Sequence, residues 1–176
     1  MIGQKDFAKL AKAAEELSSR VEDELHGELF LYIPSNSLGY YSGQDLFGKA
    51  VSDKFPNAKE DIESAGKCLA VGQYTACVFH LMRAMEGSVS ALSANLSIPN
   101  PEREWGKLLS DIHTEIEKMA KGQTRDSWSE SHANLYHVKQ AWRNKTMHPK
   151  STYTGEQAKE VFQAVRVFMS HLATLV

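Results

Sequence analysis

Two residues near the end of a helical stretch, Arg143 and His148, have side chains suited to phosphate chemistry. In one continuous helix, residues five apart point about 140° away from each other, so these side chains would diverge. Pro149 disfavours a helical conformation in the residue before it, so we expect the helix to end near Met147. His148 can then fold back over the last turn, and the two side chains converge.

The chemistry that suits these two groups is the cleavage of a phosphodiester. A guanidinium binds phosphate oxygens through paired hydrogen bonds, and an imidazole gains and loses a proton near neutral pH. With RNA, His148 can take the proton of a 2′-hydroxyl or protonate the leaving 5′-oxygen, while Arg143 stabilises the charge that develops at phosphorus. The expected product is a 2′,3′-cyclic phosphate, and the reaction requires no metal ion or other cofactor.

The stretch around this pair is basic. Residues 131–155 contain no acidic residue, and their basic residues are Lys139, Arg143, Lys145 and Lys150. The whole chain has a net charge of −2, which gives no general attraction for nucleic acid, so any contact with RNA must be local. We therefore expect the three lysines to bind the substrate.

A purely structural role explains the same residues. Arg143 can bind the last carbonyls of the helix and His148 can cap its final turn, and both are favourable at the negative end of the helix dipole. The basic stretch is equally compatible with a solvated helix face, because so few positive charges do not establish RNA binding. Spacing alone does not decide between catalysis and helix capping.

Helical periodicity runs through most of the chain. Apolar residues recur every three or four positions, whereas the alternation typical of strands is almost absent. The predicted helices cover residues 7–25, 57–71, 74–92, 101–119, 127–147 and 156–175. The helix over residues 74–92 is apolar on enough of its surface to lie centrally. The pattern predicts an all-α bundle of five to six helices in a single domain, residues 1–176.

Residues 29–55 are harder to interpret, because Pro34 and three glycines interrupt their apolar clusters. A structureless connection of that length is unusual in a compact domain. We therefore expect a short helix over residues 44–54, packed through Leu46, Phe47 and Val51.

Capping motifs and glycines predict where the helices begin and end. The expected starts are the capping boxes Asn57/Glu60, Ser127/Glu130 and Thr154/Gln157, together with Asn100-Pro101. The expected ends or breaks are Gly27, Gly72 and Gly122.

The composition favours a cytoplasmic protein. Cys68 and Cys77 match neither metal-site spacing nor a disulfide framework and are expected to be small core residues. The first residues include charged side chains rather than an apolar leader, and the longest apolar stretch is too short to cross a bilayer. We therefore expect a reducing compartment and no membrane association.

The segment Arg143-Asn144-x-x-x-His148 resembles the Arg-x4-6-His motif of the HEPN superfamily, including the polar residue that commonly follows the arginine. Further stretches resemble uncharacterised bacterial HEPN-like proteins, and the similarity spans about two-thirds of the chain. Those stretches are Phe55-Pro56, residues 65–70 and residues 78–86.

The resemblance implies a helical bundle that forms a homodimer and brings two Arg/His pairs into one cleft. It also implies a metal-independent endoribonuclease of a toxin, defence or stress system, with an antitoxin-type protein as a further partner. Asn144 would join the catalytic pair. Some toxin members carry a tyrosine two residues after the histidine, where this chain has Lys150. The nearest tyrosine is Tyr153, which we include among the expected substrate-binding residues.

Polar residues on the predicted core helix are further candidates for substrate binding. His80, Arg83 and Glu86 recur every three residues in an otherwise apolar segment, and we expect them to border the same cleft. Arg83 and Glu86 are equally explained as an ordinary intrahelical ion pair.

Other groups carry weaker signals. His132 and His137 are five apart and lack a Glu-x-x-His partner, so we expect no metal site. Trp105, Trp128 and Trp142 have a helical phase that favours core or interface positions over base stacking.

Two functions remain open from the sequence. The first is endoribonuclease activity at Arg143 and His148. The second is a non-catalytic HEPN-like module that binds RNA, a nucleotide or a protein partner, since a fold does not establish chemistry. A helical partner-binding protein unrelated to nucleic acid is a third reading, favoured if Arg143 and His148 lie apart.

Overall fold

The computed structural model describes residues 4–98, 105–140 and 152–176. The chain divides into two compact units, residues 1–32 and residues 33–176. The regular elements of the described residues are eight α-helices and one 3-10 turn, which confirms the all-α class. The helix count exceeds the expected five to six because two short helices lie in the region where the sequence pattern was hardest to interpret.

The first unit contains helix α1, Gln4–Leu25. Its apolar side chains recur every three or four residues and are exposed, among them Phe7, Leu10 and Leu17. The predicted amphipathic helix is therefore confirmed. The helix ends at Leu25, shortly before Gly27, as expected, but Gly27 does not adopt the left-handed conformation typical of a glycine that terminates a helix.

The second unit is a bundle around one central helix. In chain order its helices are α2 Leu38–Ser42, α3 Lys49–Lys54, α4 Lys59–Ala70, α5 Tyr74–Asn95, α6 Trp105–Lys118, α7 Gln123–Val138 and α8 Gly155–Leu172. Helix α5 packs against α4 and α8, and α7 packs against α6 and α8. The prediction of a central helix near residues 74–92 is confirmed.

Helix α5 is central because apolar side chains occupy most of its circumference. Leu81, Met85 and Leu92 are fully buried. Burial of a large apolar side chain contributes about 1.5–3 kcal/mol, so this helix supplies a large share of the core. Its two buried serines bind carbonyls of their own helix, Ser88 to Ala84 and Ser93 to Val89, which removes the cost of burying a hydroxyl.

The region over residues 29–55 forms α2 and α3 rather than one helix starting at Gln44. Of the expected packing residues, Phe47 and Val51 are buried and Leu46 is partly buried. The Phe47 ring contacts Phe162 of α8 edge-on, with ring centroids 5.1 Å apart. Gly66 of α4 lets α2 approach, because a Cβ there would lie 2.6 Å from the Tyr40 carbonyl oxygen.

Two predicted helix starts are wrong. Asn57 does not cap α4, because Pro56 opens a 3-10 turn, Pro56–Ala58, and Ala58 precedes the helix. Ser127 does not cap α7 either, because α7 already begins at Gln123 and Ser127 lies inside it. In both places neighbouring residues form a helical turn that the capping pattern did not reveal.

The glycine predictions have mixed outcomes. Gly72 separates α4 from α5 with a φ of 78°, as expected. Helix α6 ends at Lys118, before Gly122, which instead directly precedes α7. The predicted Asn100-Pro101 start lies outside the described residues.

The last predicted capping box is confirmed. The Thr154 N–H donates to Oε1 of Gln157 at 3.0 Å, and the Gln157 N–H donates to Oγ1 of Thr154 at 3.3 Å. These two bonds satisfy backbone donors that the first turn of α8 would otherwise leave unpaired.

Removal of this cap should destabilise the protein. We expect Thr154→Ala to lower the free energy of unfolding by about 1 kcal/mol, measured by urea denaturation. Thr114→Ala is the matched control, because the Thr114 hydroxyl donates to Ser110 within α6 and caps nothing. A loss no larger than that of the control would contradict the role of the box.

His132 of α7 is held against α6. Its Nε2 lies 3.0 Å from the Leu109 carbonyl oxygen, to which it donates, and its ring lies 5.4 Å from that of His113. Burial lowers the pKa of His132 below its usual 6.5; the bond to Leu109 opposes this, and the charge of His113 adds to it. The folded protein therefore favours neutral His132.

This lowered pKa predicts a loss of stability in acid. The unfolded chain takes up a proton at His132 more readily than the folded one, so this contribution is present above about pH 6.5 and is lost as the pH falls. We expect the melting temperature to be lower at pH 5.5 than at pH 7.5, and this difference should be smaller in His132→Gln than in the wild type. His26→Gln changes an exposed histidine of the first unit and should leave the difference unchanged; equal effects of the two substitutions would refute the assignment.

Candidate functional site

The described residues that flank residues 141–151 each contact the bundle. Helix α7 continues in helical conformation to Gln140, whose amide donates to the Tyr136 hydroxyl at 3.0 Å. Lys139 is half-buried, and its ammonium lies 3.4 Å from the place that a Cβ on Gly106 would take. Lys139 therefore extends towards the first turn of α6.

The other side is anchored to the start of α5. The Tyr153 N–H donates to Oγ1 of Thr75 at 3.2 Å, and Tyr153 packs against the core. Gly155 lies against the Tyr74 ring, where a Cβ would come within 2.9 Å of Cζ. A side chain at Gly155 would push the Tyr74 ring away, so this close approach of α8 to the start of α5 requires glycine at position 155.

Helices α7 and α8 run antiparallel. Oγ of Ser131, midway along α7, lies 3.1 Å from Nδ1 of His171, near the end of α8. Towards the C-terminal end of α7, the two helices border a groove of 280 Å³ lined by Asn134, His137, Val138, Gln163, Ala164 and Val167. Three of the lining residues, Asn134, His137 and Val138, belong to the acid-free stretch of residues 131–155.

The expected catalytic residues Arg143, Asn144 and His148 lie outside the described residues, as do the expected substrate-binding residues Lys145 and Lys150. Their convergence stays a prediction. Lys139 and Tyr153, the two candidates that flank them, are described and half-buried.

A second group of candidates meets on the surface of α5. His80 Nδ1 lies 2.8 Å from Oδ1 of Asp61 on α4, and Arg83 Nε lies 3.4 Å from Oδ2 of the same carboxylate. The Asp61 side chain is 14% exposed, whereas that of Arg83 is 58% exposed. The largely buried carboxylate of Asp61 therefore contacts both side chains and links α4 to α5.

Sequence reasoning missed Asp61. It lies in the first turn of α4, where acidic residues are common, and its partners are about twenty positions away. The pairing becomes visible only once α4 is packed against α5. No one-dimensional pattern in the sequence indicates it.

Positions around α5 show how the candidates are arranged. Counted from Thr75, which binds Tyr153, Glu86 lies about 20° around the helix, Arg83 about 80° and His80 about 140°. Glu86 is exposed. The three candidates thus face outward over a broad sector that begins near Thr75.

The described residues hold neither a cluster of metal ligands nor an activated thiol. Residues 4–98, 105–140 and 152–176 contain no group of three potential ligands that could hold a metal ion. Burial raises the pKa of Cys77 to about 12 and also raises that of Cys68, so neither thiol is activated as a nucleophile. Cys77 is buried as expected, and Cys68 is partly buried.

Two further expectations can be compared with the described residues. Trp128 is buried in the core, as its helical phase indicated. Within the described part of the chain, none of the helices is long and apolar enough to cross a membrane.

The architecture is that of an all-α helical bundle in which two antiparallel helices flank a basic stretch. A family model described as HEPN domain matches residues 51–174, so the chain belongs to the HEPN family. The match covers the bundle from α3 to α8 and includes the Arg/His motif. Comparisons with curated proteins and with solved structures find no match.

Disruption of the Asp61 contacts should loosen the packing of α4 on α5. We expect Asp61→Ala to lower the free energy of unfolding by about 1–3 kcal/mol, because the Asp61 carboxylate is largely buried and accepts a short hydrogen bond. Asp53→Ala removes an exposed partner of Lys49 and should cost at most about 1 kcal/mol. If urea denaturation showed the same loss of unfolding free energy in both variants, the Asp61 contacts would not stabilise the packing of α4 on α5.

Proposed function

We propose that this protein is a metal-independent endoribonuclease whose reacting groups are Arg143 and His148. The observation that carries the proposal is that both residues lie inside the range matched by the HEPN model, at the spacing of the superfamily motif. The absence of acidic residues from 131–155 supports it, because this stretch brings positive and no negative side chains to a phosphodiester bound there.

In the proposed reaction, His148 removes the proton of a ribose 2′-hydroxyl, and the 2′-oxygen attacks the adjacent phosphorus. The bond from phosphorus to the 5′-oxygen of the next nucleotide breaks, and that oxygen receives the proton that His148 took up, passed on directly or through a water molecule, which restores the neutral imidazole. Arg143 stabilises the negative charge on the phosphoryl oxygens. The products are a 2′,3′-cyclic phosphate and a 5′-hydroxyl, so atoms and charges balance without a cofactor.

The surrounding residues would bind the RNA backbone. Lys139, Lys145 and Lys150 supply positive charge, and Asn144 supplies hydrogen bonds beside Arg143. Tyr153, which is anchored to α5, would line the site from the α8 side. The motif tyrosine of some toxin members has no equivalent here, because Lys150 occupies its position.

The proposal includes the assembly that the family resemblance implies. Two copies would bring two Arg/His pairs into one cleft, and an antitoxin-type protein would cover that cleft in a toxin, defence or stress system. The groove between α7 and α8 offers a surface for such a contact. Sedimentation velocity of the purified chain tests the homodimer directly.

Cleavage of RNA without metal is the decisive experiment. Wild-type protein should cleave single-stranded RNA in EDTA and leave 2′,3′-cyclic phosphate ends. His148→Ala should lower the rate about 10²- to 10⁴-fold through loss of proton transfer, and Arg143→Ala about 10²- to 10³-fold through loss of charge stabilisation. His26→Ala is the matched control and should cleave at the wild-type rate.

Circular dichroism must show that the variants keep their helices. Undiminished cleavage by folded His148→Ala protein would refute the role of His148. Binding of RNA without any cleavage by the wild type would instead identify a non-catalytic HEPN module, in which Arg143→Ala should weaken binding.

A further inference from the structure

The outward face of α5 combines an exposed aromatic ring with two cationic or ionisable groups. Phe79 is 44% exposed, and Arg83 follows it by four residues, so the two side chains are neighbours on one helix face. His80 lies beside them with its ring edge-on to that of Phe79, at a centroid distance of 6.3 Å. We call Phe79, His80 and Arg83 the α5 patch.

Asp61 determines which atoms of the α5 patch remain available. Its Oδ1 accepts from His80 Nδ1, so the neutral imidazole carries its proton on Nδ1 and leaves Nε2 as a hydrogen-bond acceptor. Its Oδ2 contacts Arg83 Nε, which leaves both terminal amino groups of the guanidinium for another partner. The carboxylate thus orients two side chains at once.

If these residues served only to join α4 to α5, the exposed side chains of Arg83 and Phe79 would not be needed. The His80–Asp61 contact by itself would join the helices, whereas the Arg83 side chain is 58% exposed and the Phe79 ring faces solvent. An exposed aromatic ring beside an exposed guanidinium offers a stacking surface and a phosphate ligand within one nucleotide's reach. Proteins recognise single-stranded RNA with this pair of groups.

We propose that the α5 patch binds one nucleotide of single-stranded RNA. Phe79 stacks on the base, the terminal amino groups of Arg83 bind the phosphate, and Nε2 of His80 accepts a hydrogen bond from the ribose 2′-hydroxyl. Asp61 touches no RNA and is a positioning residue. The inference rests on the proposed function for its choice of RNA as ligand, but it concerns residues outside the catalytic motif.

Binding can be measured separately from cleavage. The parent protein is full-length His148→Ala, and the probe is a fluorescein-labelled, unstructured RNA of about twelve nucleotides, followed by fluorescence anisotropy in EDTA. Phe79→Ala should weaken binding about tenfold through loss of stacking. Tyr41→Ala, which removes another partly exposed ring, is the matched control and should bind like the parent.

Salt dependence isolates the phosphate contact. Arg83→Ala should weaken binding and lower the slope of log affinity against log salt by about one, because one phosphate contact is lost. Arg166→Ala removes an exposed arginine of α8 and should leave both affinity and slope unchanged.

The positioning role of Asp61 has its own readout. Nitrogen-15 NMR of the neutral imidazole should show the proton of His80 on Nδ1, and Asp61→Asn should reduce that preference and weaken RNA binding. Thermal unfolding by circular dichroism verifies that Asp61→Asn is folded. A proton on Nε2 in the parent would overturn the assigned arrangement.

The outcomes separate this inference from the nuclease proposal. Parent-like affinity in both Phe79→Ala and Arg83→Ala overturns the α5 patch even if the wild type cleaves RNA. Weakened binding in both variants, with no cleavage by the wild type, supports the α5 patch and removes the nuclease assignment. If Phe79→Ala abolishes dimers while RNA affinity is unchanged, the α5 patch joins two copies, and the inference is overturned.

Discussion

Burial of α5 is the constraint on which the second unit depends. Its apolar side chains supply the surface against which α4 and α8 pack, and its buried serines are satisfied within the helix. The charged side chains of this helix and its histidine lie in the sector that faces away from the core. His80, Arg83 and Glu86 occupy that sector, and Asp61 of α4 lies at its edge, where it contacts the first two.

Much of the fold could be predicted because helical periodicity is a local signal. The apolar rhythm located α5, and the Thr154/Gln157 pair located the start of α8, since both depend on residues within a turn or two. The starts of α4 and α7 were wrong for the same reason. The chain forms a 3-10 turn at Pro56, and α7 begins one turn earlier than expected, at Gln123. Capping residues alone do not determine the first turn of a helix to within a few residues.

The candidate site was predictable to a different extent. Arg143 and His148 stand out by residue type and spacing, and the family match includes them. Asp61 does not stand out, because its importance arises from the packing of α4 on α5. His80 and Arg83 were recognised as polar residues on an apolar helix, but the carboxylate that orients them could be found only in three dimensions.

The anchoring of Tyr153 and Thr154 has an evolutionary consequence. Hydrogen bonds to Thr75 and Gln157 hold the start of α8, and they involve none of residues 141–151. Substitutions within that interval therefore leave these attachments intact. Sequence change within that interval and the stability of the scaffold can therefore come under separate selection.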